Sequence, residues 1–168
     1  MIQTPNLYIQ PLTYPQLVKY IRADYSLEEE LQLKPIPRTI APELKEAMEQ
    51  SILPQVANAN NNYLFHTLWT IISRSEQQMV GDLCFTGAPD DSGAIEIGYG
   101  THEAFRGRGF MTEAVKEMLN WAAAQSGVKS VIATTNKDNP SSQAVLKKNG
   151  FVVSGETEEM IYWKFPVA

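Results

Sequence analysis

Cysteine and histidine are scarce in this sequence, which has one cysteine and two histidines. A single cysteine excludes an internal disulfide, and so few residues of these two types cannot form the Cys/His clusters that hold structural zinc. Cys84 stands between Leu83 and Phe85 in a strand-like run, where we expect a small core residue. The sequence therefore predicts a fold without disulfides and a site without a metal.

Long apolar runs are also missing, since none approaches the roughly 20 residues of a membrane span. The first residues lack the basic-then-apolar pattern of a signal peptide. Positive charge is in the minority, with 14 Lys and Arg against 19 Asp and Glu, which argues against a nucleic-acid backbone as the main partner. The net charge of −5 suits a cationic amine substrate, although it also serves solubility alone. We expect a cytoplasmic protein that binds neither membrane nor nucleic acid.

The remaining composition is typical of one globular domain over residues 1–168, with 43% hydrophobic and 20% charged residues. Apolar residues recur at helical spacing at 14–23, 41–55, 111–125 and after Asn139, and strand-like runs fall at 7–12, 64–74, 79–87, 94–101, 130–135, 151–153 and 160–165. Residues 24–62 are the least regular part. Within them, Glu28, Glu29 and Glu30 predict a solvated helix face or the first turn of a helix.

A short loop between the strand at 94–101 and the helix at 111–125 carries two glycines and two arginines, in the order Arg106-Gly107-Arg108-Gly109. Glycine allows a tight turn, so free backbone N–H groups can converge at the start of the helix. The helix dipole favours an anion at that position, and both arginines add positive charge. The pattern indicates a cradle for a diphosphate, although a plain surface turn before a helix has the same composition.

Three kinds of phosphate loop fit that description. A Walker loop needs Gly-Lys-Ser/Thr, which is absent, and a dinucleotide loop needs a third glycine where Thr112 stands. The stretch from Arg106 to Met111 resembles the third kind, the Arg/Gln-x-x-Gly-x-Gly/Ala loop of the GNAT N-acetyltransferases. It departs from that pattern at Met111. Met111 begins the apolar stripe of the following helix, so we expect its side chain to turn into the core with the rest of that stripe: Ala114, Val115, Met118, Leu119 and Ala122.

A second motif lies downstream, from Asn139 to Phe151. It resembles the Asn-x-x-Ser-x-x-Val-Leu-x-Lys-x-Gly-Phe pattern of the same family, at the expected distance from the loop. Together with the strand before the loop, the two motifs cover roughly the last hundred residues in family order. The likeness is greatest to the RimJ/RimL-type branch, which includes acetyltransferases of ribosomal-protein N-termini.

The resemblance implies an α+β GNAT fold with a mixed, mostly antiparallel sheet of six or seven strands and about four helices. In that fold the sheet is splayed between two parallel central strands, here 94–101 and 130–135, and acetyl-CoA lies in the gap as the acyl donor. The resemblance implies the following cofactor-binding residues: Gly100, Thr101, Arg106, Gly107, Arg108, Gly109, Phe110, Met111, Thr112, Asn139, Ser142 and Lys148.

Catalysis in the family needs a base for the amine and, in many members, an acid for the thiolate. Glu96 is the candidate base, with a carboxylate that merely solvates the sheet as the alternative and His102 as the second choice. Many members have a tyrosine acid seven residues after the motif asparagine, but this chain has Leu146 there. Ser142 matches the serine assigned that work in the RimJ/RimL-like branch, and its alternative role is to bond backbone in the first turn of the helix.

The predicted function is transfer of acetyl from acetyl-CoA to a primary amine, on a small molecule or a protein N-terminus, by direct attack in a ternary complex. The missing tyrosine and Met111 also allow a non-catalytic CoA-binding module, and the glycine loop alone allows a nucleotide-binding protein. We expect a monomer or a homodimer, with the strand at 160–165 as a candidate for pairing between two copies.

Overall fold

Eight strands form one mixed sheet in the computed structural model, which describes residues 1–167. In chain order the strands are β1 (Ile2–Gln3), β2 (Leu7–Pro11), β3 (Leu68–Ser73), β4 (Gln78–Phe85), β5 (Ala94–Thr101), β6 (Ser130–Asn136), β7 (Val152–Glu156) and β8 (Met160–Pro166). Their order across the sheet is β1-β2-β3-β4-β5-β6-β8-β7. Every neighbouring pair is antiparallel except β5 and β6, which are parallel.

The parallel pair separates soon after it begins. β5 and β6 pair only at Ala94 with Ser130, Ile95 with Val131 and Glu96 with Ile132. Beyond Glu96, β5 pairs with β4 alone and β6 pairs with β8 alone. A wedge therefore opens toward the carboxyl ends of the two strands, which confirms the splay predicted between 94–101 and 130–135.

Helices cover both faces of this sheet. They are α1 (Tyr14–Arg22), α2 (Ser26–Leu31), α3 (Pro42–Ala47), α4 (Leu53–Ala57), α5 (Phe110–Ala123) and α6 (Pro140–Lys148). A π-helical turn at Met48–Ile52 joins α3 to α4, so the single helix predicted at 41–55 is helical throughout but irregular at its centre. The described chain thus has more elements than the predicted six or seven strands and about four helices, because β1 and α2 are too short to show a periodic pattern.

Two apolar clusters lie on opposite faces of the sheet. On one face, α5 and α6 cover side chains of β2–β6 and β8, and the predicted α5 stripe is buried in full: Met111, Ala114, Val115, Met118, Leu119 and Ala122. Trp121 of the same helix contacts Phe65, Trp69 and Phe85, with ring centroids 5.3 to 5.4 Å apart. On the other face, α1 to α4 cover the smaller cluster: Leu12, Leu17, Tyr20, Leu27, Met48, Leu68, Ile72 and Met79.

Glu28 differs from its prediction as a solvated residue. It lies in the first turn of α2, as one alternative had it, but it is only 1% exposed. Its carboxylate accepts a hydrogen bond from Arg38 Nη1 at 2.5 Å, and both side chains are 2% exposed. The sequence pattern could not reveal this ion pair, because Arg38 lies ten residues away in a segment without regular structure.

The closing strands also correct one expectation. β8 lies between β6 and β7 and pairs with both, so it has no free edge for a second copy of the chain. β7 is the outer strand of the sheet instead, and its Val152 and Val153 are exposed. The proposal that the strand at 160–165 could pair across a dimer is therefore wrong.

Candidate functional site

A groove of about 540 Å³ runs along the mouth of the wedge. It lies between the end of β5, the glycine loop, the start of α5 and the start of α6. Its lining residues are Tyr99, Gly100, Thr101, Phe105, Arg106, Gly107, Arg108, Gly109, Phe110, Met111, Thr112, Asn139, Ser141, Ser142, Ala144, Val145 and Lys148. Every residue that the sequence proposed for cofactor binding is in this set, so the two distant motifs meet in one groove.

The glycine loop presents backbone donors to this groove. Gly107 and Gly109 have φ values of +75° and +80°, in the left-handed region that a side chain with a Cβ rarely adopts. Gly109 is the residue before the first turn of α5, and its carbonyl accepts from the N–H of Glu113. Within residues 1–167, the N–H groups from Gly107 to Thr112 have no hydrogen-bond acceptor. Consecutive free donors at a helix N-terminus can bind an anion such as a diphosphate.

The positive side chains stand around this loop rather than inside it. Arg106 Nε donates to the carbonyl of Thr101 at 3.2 Å. Arg108 lies 3.0 Å from Glu76 of the β3–β4 turn and 4.7 Å over the ring of Phe110. Lys148 is exposed at the end of α6. The charge of Arg108 is thus partly balanced by the Glu76 carboxylate, whereas Arg106 and the backbone donors face the groove.

Met111 and Asn139 occupy the groove in different ways. Met111 is 5% exposed and packs in the core, as expected from its place in the helix stripe. Asn139 Oδ1 accepts from the N–H of Ser142 at 3.2 Å and from Ser141 Oγ at 3.1 Å, so it caps α6. The Met111 side chain and the Asn139 side-chain oxygen thus contribute to the fold, and both residues also line the groove.

A pair of hydroxyl groups crosses the wedge. Ser142 Oγ, on α6, donates to Tyr99 Oη at 3.0 Å, and Tyr99 Oη, on β5, donates to the carbonyl of Ser142 at 3.0 Å. Burial raises the pKa of the Tyr99 phenol. In the strand-like run at 94–101, Tyr99 follows Ile95 and Ile97 at alternate positions. Its hydroxyl group, at the end of an otherwise apolar alternation, was the sequence signal for a residue that reaches the groove.

The opposite face of β5 carries a second set of polar groups. Glu96, Gly98 and Gly100 alternate with the residues that face α5 and α6, so they point to the other side of the sheet. Across the antiparallel ladder, Cys84 pairs with Gly98 and Asp82 pairs with Gly100. Burial, with the charges of Asp82 and Glu96, raises the pKa of the Cys84 thiol to about 11. Glu96 does not line the groove, and it lies on the other side of β5 from Ser142.

Space remains open on this face beside the groove. A Cβ added at Gly100 would meet no atom within 4 Å, whereas one at Gly98 would lie 3.9 Å from Cys84 Sγ. Gly100 also lines the groove, although its missing side chain would point to the opposite face of the sheet. Asp82, opposite Gly100, retains some exposed surface.

Asp82 is a groove neighbour that the sequence analysis missed. Its carboxylate accepts from Tyr20 Oη at 2.5 Å. Burial raises the pKa of Asp82 to about 6, although the Tyr20 hydrogen bond and the Arg38 charge oppose that rise. The signal in the sequence was a single charge within the apolar run from Met79 to Phe85, a place where an unpaired carboxylate is costly.

His102, the second-choice base, follows β5 directly. Its Nε2 atom is buried and has no hydrogen-bond partner within residues 1–167. Burial, together with the charges of Arg38 and Arg106, lowers the pKa of His102 to about 4. The imidazole is therefore neutral near neutral pH and is a weak base.

No group of three or more His, Cys, Asp or Glu side chains is arranged to hold a metal ion in residues 1–167. No helix in the same range is both long enough and apolar enough to cross a membrane.

Comparison with known proteins matches this arrangement to one family. A family model described as "Acetyltransferase (GNAT) domain" matches residues 7–152. The chain is 28% identical over 163 residues to the uncharacterized N-acetyltransferase YjdG of Bacillus subtilis, with 97% of this chain and 96% of that protein covered. It is 26% identical over 80 residues to the ribosomal-protein-serine acetyltransferase of Escherichia coli, covering 48% and 45%.

A solved structure extends the likeness to the whole fold. The ribosomal-protein-S5-alanine acetyltransferase of Vibrio fischeri has a TM-score of 0.71 at 18% identity, with 98% of this chain and 95% of that one covered. The splayed sheet and the loop before α5 are therefore those of the GNAT fold, as the sequence predicted. The chain belongs to the GNAT acetyltransferase family, its relatives support the RimJ/RimL-like branch, and it is an acetyl-CoA-dependent N-acyltransferase.

Proposed function

We propose that this enzyme transfers the acetyl group of acetyl-CoA to a primary amine by direct attack within a ternary complex. The observation that supports this most is the groove itself, which is lined by the free N–H groups from Gly107 to Thr112 and by Gly100, where a Cβ would meet no atom within 4 Å. A carboxylate-bearing face lies directly behind Gly100. Donor and acceptor can then meet across one strand without a covalent enzyme intermediate.

Different residues of the groove would bind different parts of acetyl-CoA. The N–H groups from Gly107 to Thr112, with Arg106 and Arg108 beside them, would hold the diphosphate. The β5 backbone at Gly100 and Thr101, unpaired toward β6, would pair with pantetheine. Phe110 and Met111 would contribute through the first turn of α5, Asn139 through the cap of α6, and Lys148 through charge at the adenosine end.

The reaction needs a proton acceptor on the amine side and a donor on the thiol side. A carboxylate on the Gly98–Gly100 face would take the amine proton, and Glu96 is the candidate that the sequence identifies. Ser142, held by Tyr99, would protonate the departing thiolate. This chain has Leu146 at the sequence position of the family's usual tyrosine, and the hydroxyl pair of Tyr99 and Ser142 in the groove would replace that function.

The acceptor class follows from charge and from relatives. Carboxylates on the far face suit a cationic primary amine, either a small molecule or a protein N-terminus. The relatives named for acting on ribosomal proteins favour a protein N-terminus.

A thiol-release assay tests this proposal. Purified enzyme with acetyl-CoA is offered small amines and peptides that differ at their N-terminal residue, and CoA binding is measured separately by calorimetry. We expect turnover with at least one acceptor and acetylation of its amine, seen by mass spectrometry. Tight CoA binding without transfer to any acceptor would instead favour the non-catalytic module, and absence of CoA binding would contradict both.

A further inference from the structure

A chain of polar side chains ends at Asp82, on the face of the sheet opposite the groove. Tyr20 of α1 donates to Asp82, and the backbone carbonyl of Tyr20 accepts from Arg38 Nη2 at 3.2 Å. The Arg38 guanidinium also lies 4.6 Å over the Tyr20 ring, and its other arm is paired with Glu28 of α2. Three separate segments thus hold one phenol against one carboxylate.

Hydrophobic packing alone does not account for these contacts, because the groups that make them are charged and buried. Arg38 and Glu28 are charged and almost fully buried, and Arg38 Nε and Glu28 Oε2 have no partner within residues 1–167. Apolar residues of similar volume can fill such a position without the desolvation penalty of buried charge. The groups do, however, fix the orientation of Tyr20 and hence of the Asp82 carboxylate.

The two carboxylates on this face differ in their position along the wedge. Glu96 lies where β5 and β6 are still paired, opposite Ile132, so the sheet is closed beside it. Asp82 lies opposite Gly100, which lines the groove and has open space over its Cα. The two positions on β5 are four residues apart, about 13 Å of extended strand. The groove reaches β5 at Tyr99, Gly100 and Thr101, which is the end nearer to Asp82.

We propose that Asp82, rather than Glu96, binds the acceptor ammonium and takes its proton, and that Tyr20, Arg38 and Glu28 position the Asp82 carboxylate. This inference rests on the proposed function and names the base within it. The ammonium transfers a proton to Asp82, and the free amine then attacks the thioester carbon. When the C–S bond breaks, sulfur takes the electron pair and a proton from Ser142, which regains a proton from the nitrogen of the tetrahedral intermediate. The first nitrogen proton leaves through Asp82 to water.

The pH dependence of this step is set by the groups that surround Asp82. The Asp82 carboxylate accepts from Tyr20 of α1 and is close enough to Arg38 to feel its charge, and the charge of Asp82 in turn acts on Cys84 of the same strand. Arg38 is paired with Glu28 of α2, and its charge also acts on His102 after β5. With the pKa of Asp82 at about 6, the carboxylate is charged near neutral pH and loses its charge just below it. Activity should therefore fall on the acid side as Asp82 becomes protonated.

The test compares kcat/KM against pH for the parent enzyme and for Asp82→Asn, Glu96→Gln and Tyr20→Phe, using the best acceptor. We expect Asp82→Asn to lower kcat/KM by a factor on the order of a hundred or more and to remove the acid limb, with CoA affinity within roughly twofold of the parent. We expect Glu96→Gln to keep the acid limb. Cys84→Ala, at the next position on the same face of β4, is the matched control and should also keep it.

Tyr20→Phe provides a readout that does not depend on Asp82→Asn folding. The Tyr20 hydroxyl stabilises the charged carboxylate, so its loss should move the acid limb to higher pH. An acid limb that is unchanged in Tyr20→Phe, or that persists in Asp82→Asn but vanishes in Glu96→Gln, would overturn the assignment of Asp82. If the parent enzyme acetylates no amine at all, the proposed function fails as well, whatever the variants do.

Discussion

At the scale of single residues, Gly109 is the position on which cofactor binding should depend most. A Cβ there would touch nothing within 4 Å, so the requirement for glycine comes from its φ of +80° and not from crowding by the protein. A β-branched residue strains this conformation and would displace the neighbouring N–H groups. Gly109→Val should therefore weaken CoA binding by a factor on the order of a hundred, about 2.7 kcal/mol.

Gly127 is a matched control for that substitution. It has a φ of +84°, a Cβ there would also meet nothing within 4 Å, and it lies outside the groove. Gly127→Val should cost similar stability and leave CoA affinity unchanged, as measured by calorimetry with circular dichroism as the check on folding. If Gly109→Val stays folded and binds CoA like the parent, the loop is not the diphosphate site.

Asp82 should also affect stability in a manner that depends on pH. Its pKa is about 6 in the folded protein, above its ordinary value of 3.8, so folding favours the protonated form. That contribution is fully present below about pH 4 and is lost as the pH rises through about 6. Near neutral pH, Asp82→Asn should therefore raise the free energy of unfolding by roughly 2 to 3 kcal/mol.

Urea denaturation of the parent and of Asp82→Asn over the acid-to-neutral range measures this effect. The difference between the two proteins should shrink toward zero as the pH falls to about 4. A variant that is less stable than the parent near neutral pH would show that the Tyr20–Asp82 contact outweighs the burial of the charge.

At the scale of elements, the Glu28–Arg38 pair fastens α2 to the segment that follows it. Both side chains are 2% exposed, so removing one charge leaves the other buried and unpaired. Glu28→Gln should lower the free energy of unfolding by about 3 to 5 kcal/mol, and Glu28→Gln combined with Arg38→Met should recover part of that loss. Glu29→Gln, on the exposed side of α2, should change it by less than about 0.5 kcal/mol.

A double-mutant cycle from denaturant unfolding isolates the coupling in this pair. Additive losses in the two single variants would show that the ion pair contributes no coupling. In that case the desolvation of each charge, and not its partner, would dominate the local energetics.

The same elements show what could be read from the sequence. The strand at Ala94–Thr101 has the predicted bounds, and α5 is within two residues of its predicted ends, because alternation and the helical stripe are local patterns. Residues 24–62 were less legible because their helices are short and are stabilised by tertiary burial, as at Met48. The Glu28–Arg38 and Tyr20–Asp82 contacts form only in the folded chain, so they produce no periodic pattern in the sequence.

The groove was predictable for a related reason. Each of its two halves is a local motif, the loop before α5 and the cap of α6, and the fold only has to bring the halves together. The opposite face is assembled from single residues of α1, α2, the segment after it and β4, so no motif marks it. The roles of the groove residues, the cytoplasmic location and the oligomeric state stay predictions.

At the scale of the whole molecule, CoA should stabilise the fold, because the site proposed for it is built from elements on both sides of the wedge. At a concentration of about 100 times its dissociation constant, a ligand specific for the folded state adds about 2.7 kcal/mol. For a chain of this size we expect Tm to rise by roughly 5 to 10 °C in a thermal-shift measurement. ATP and NAD serve as controls, and better protection by either one would favour the nucleotide-binding alternative.

The alternation of side chains along β5 has a kinetic consequence. Odd-numbered residues face the groove side and even-numbered residues face the carboxylates, so in the proposed complex a single strand would separate acetyl-CoA from the amine. Neither substrate then has to pass through the place of the other, and either one can arrive or leave first. An unreactive analogue of the amine should accordingly compete with the amine but act as a noncompetitive inhibitor toward acetyl-CoA in initial-rate measurements. A compulsory order, with uncompetitive inhibition toward acetyl-CoA, would mean that occupying one side of β5 reshapes the other.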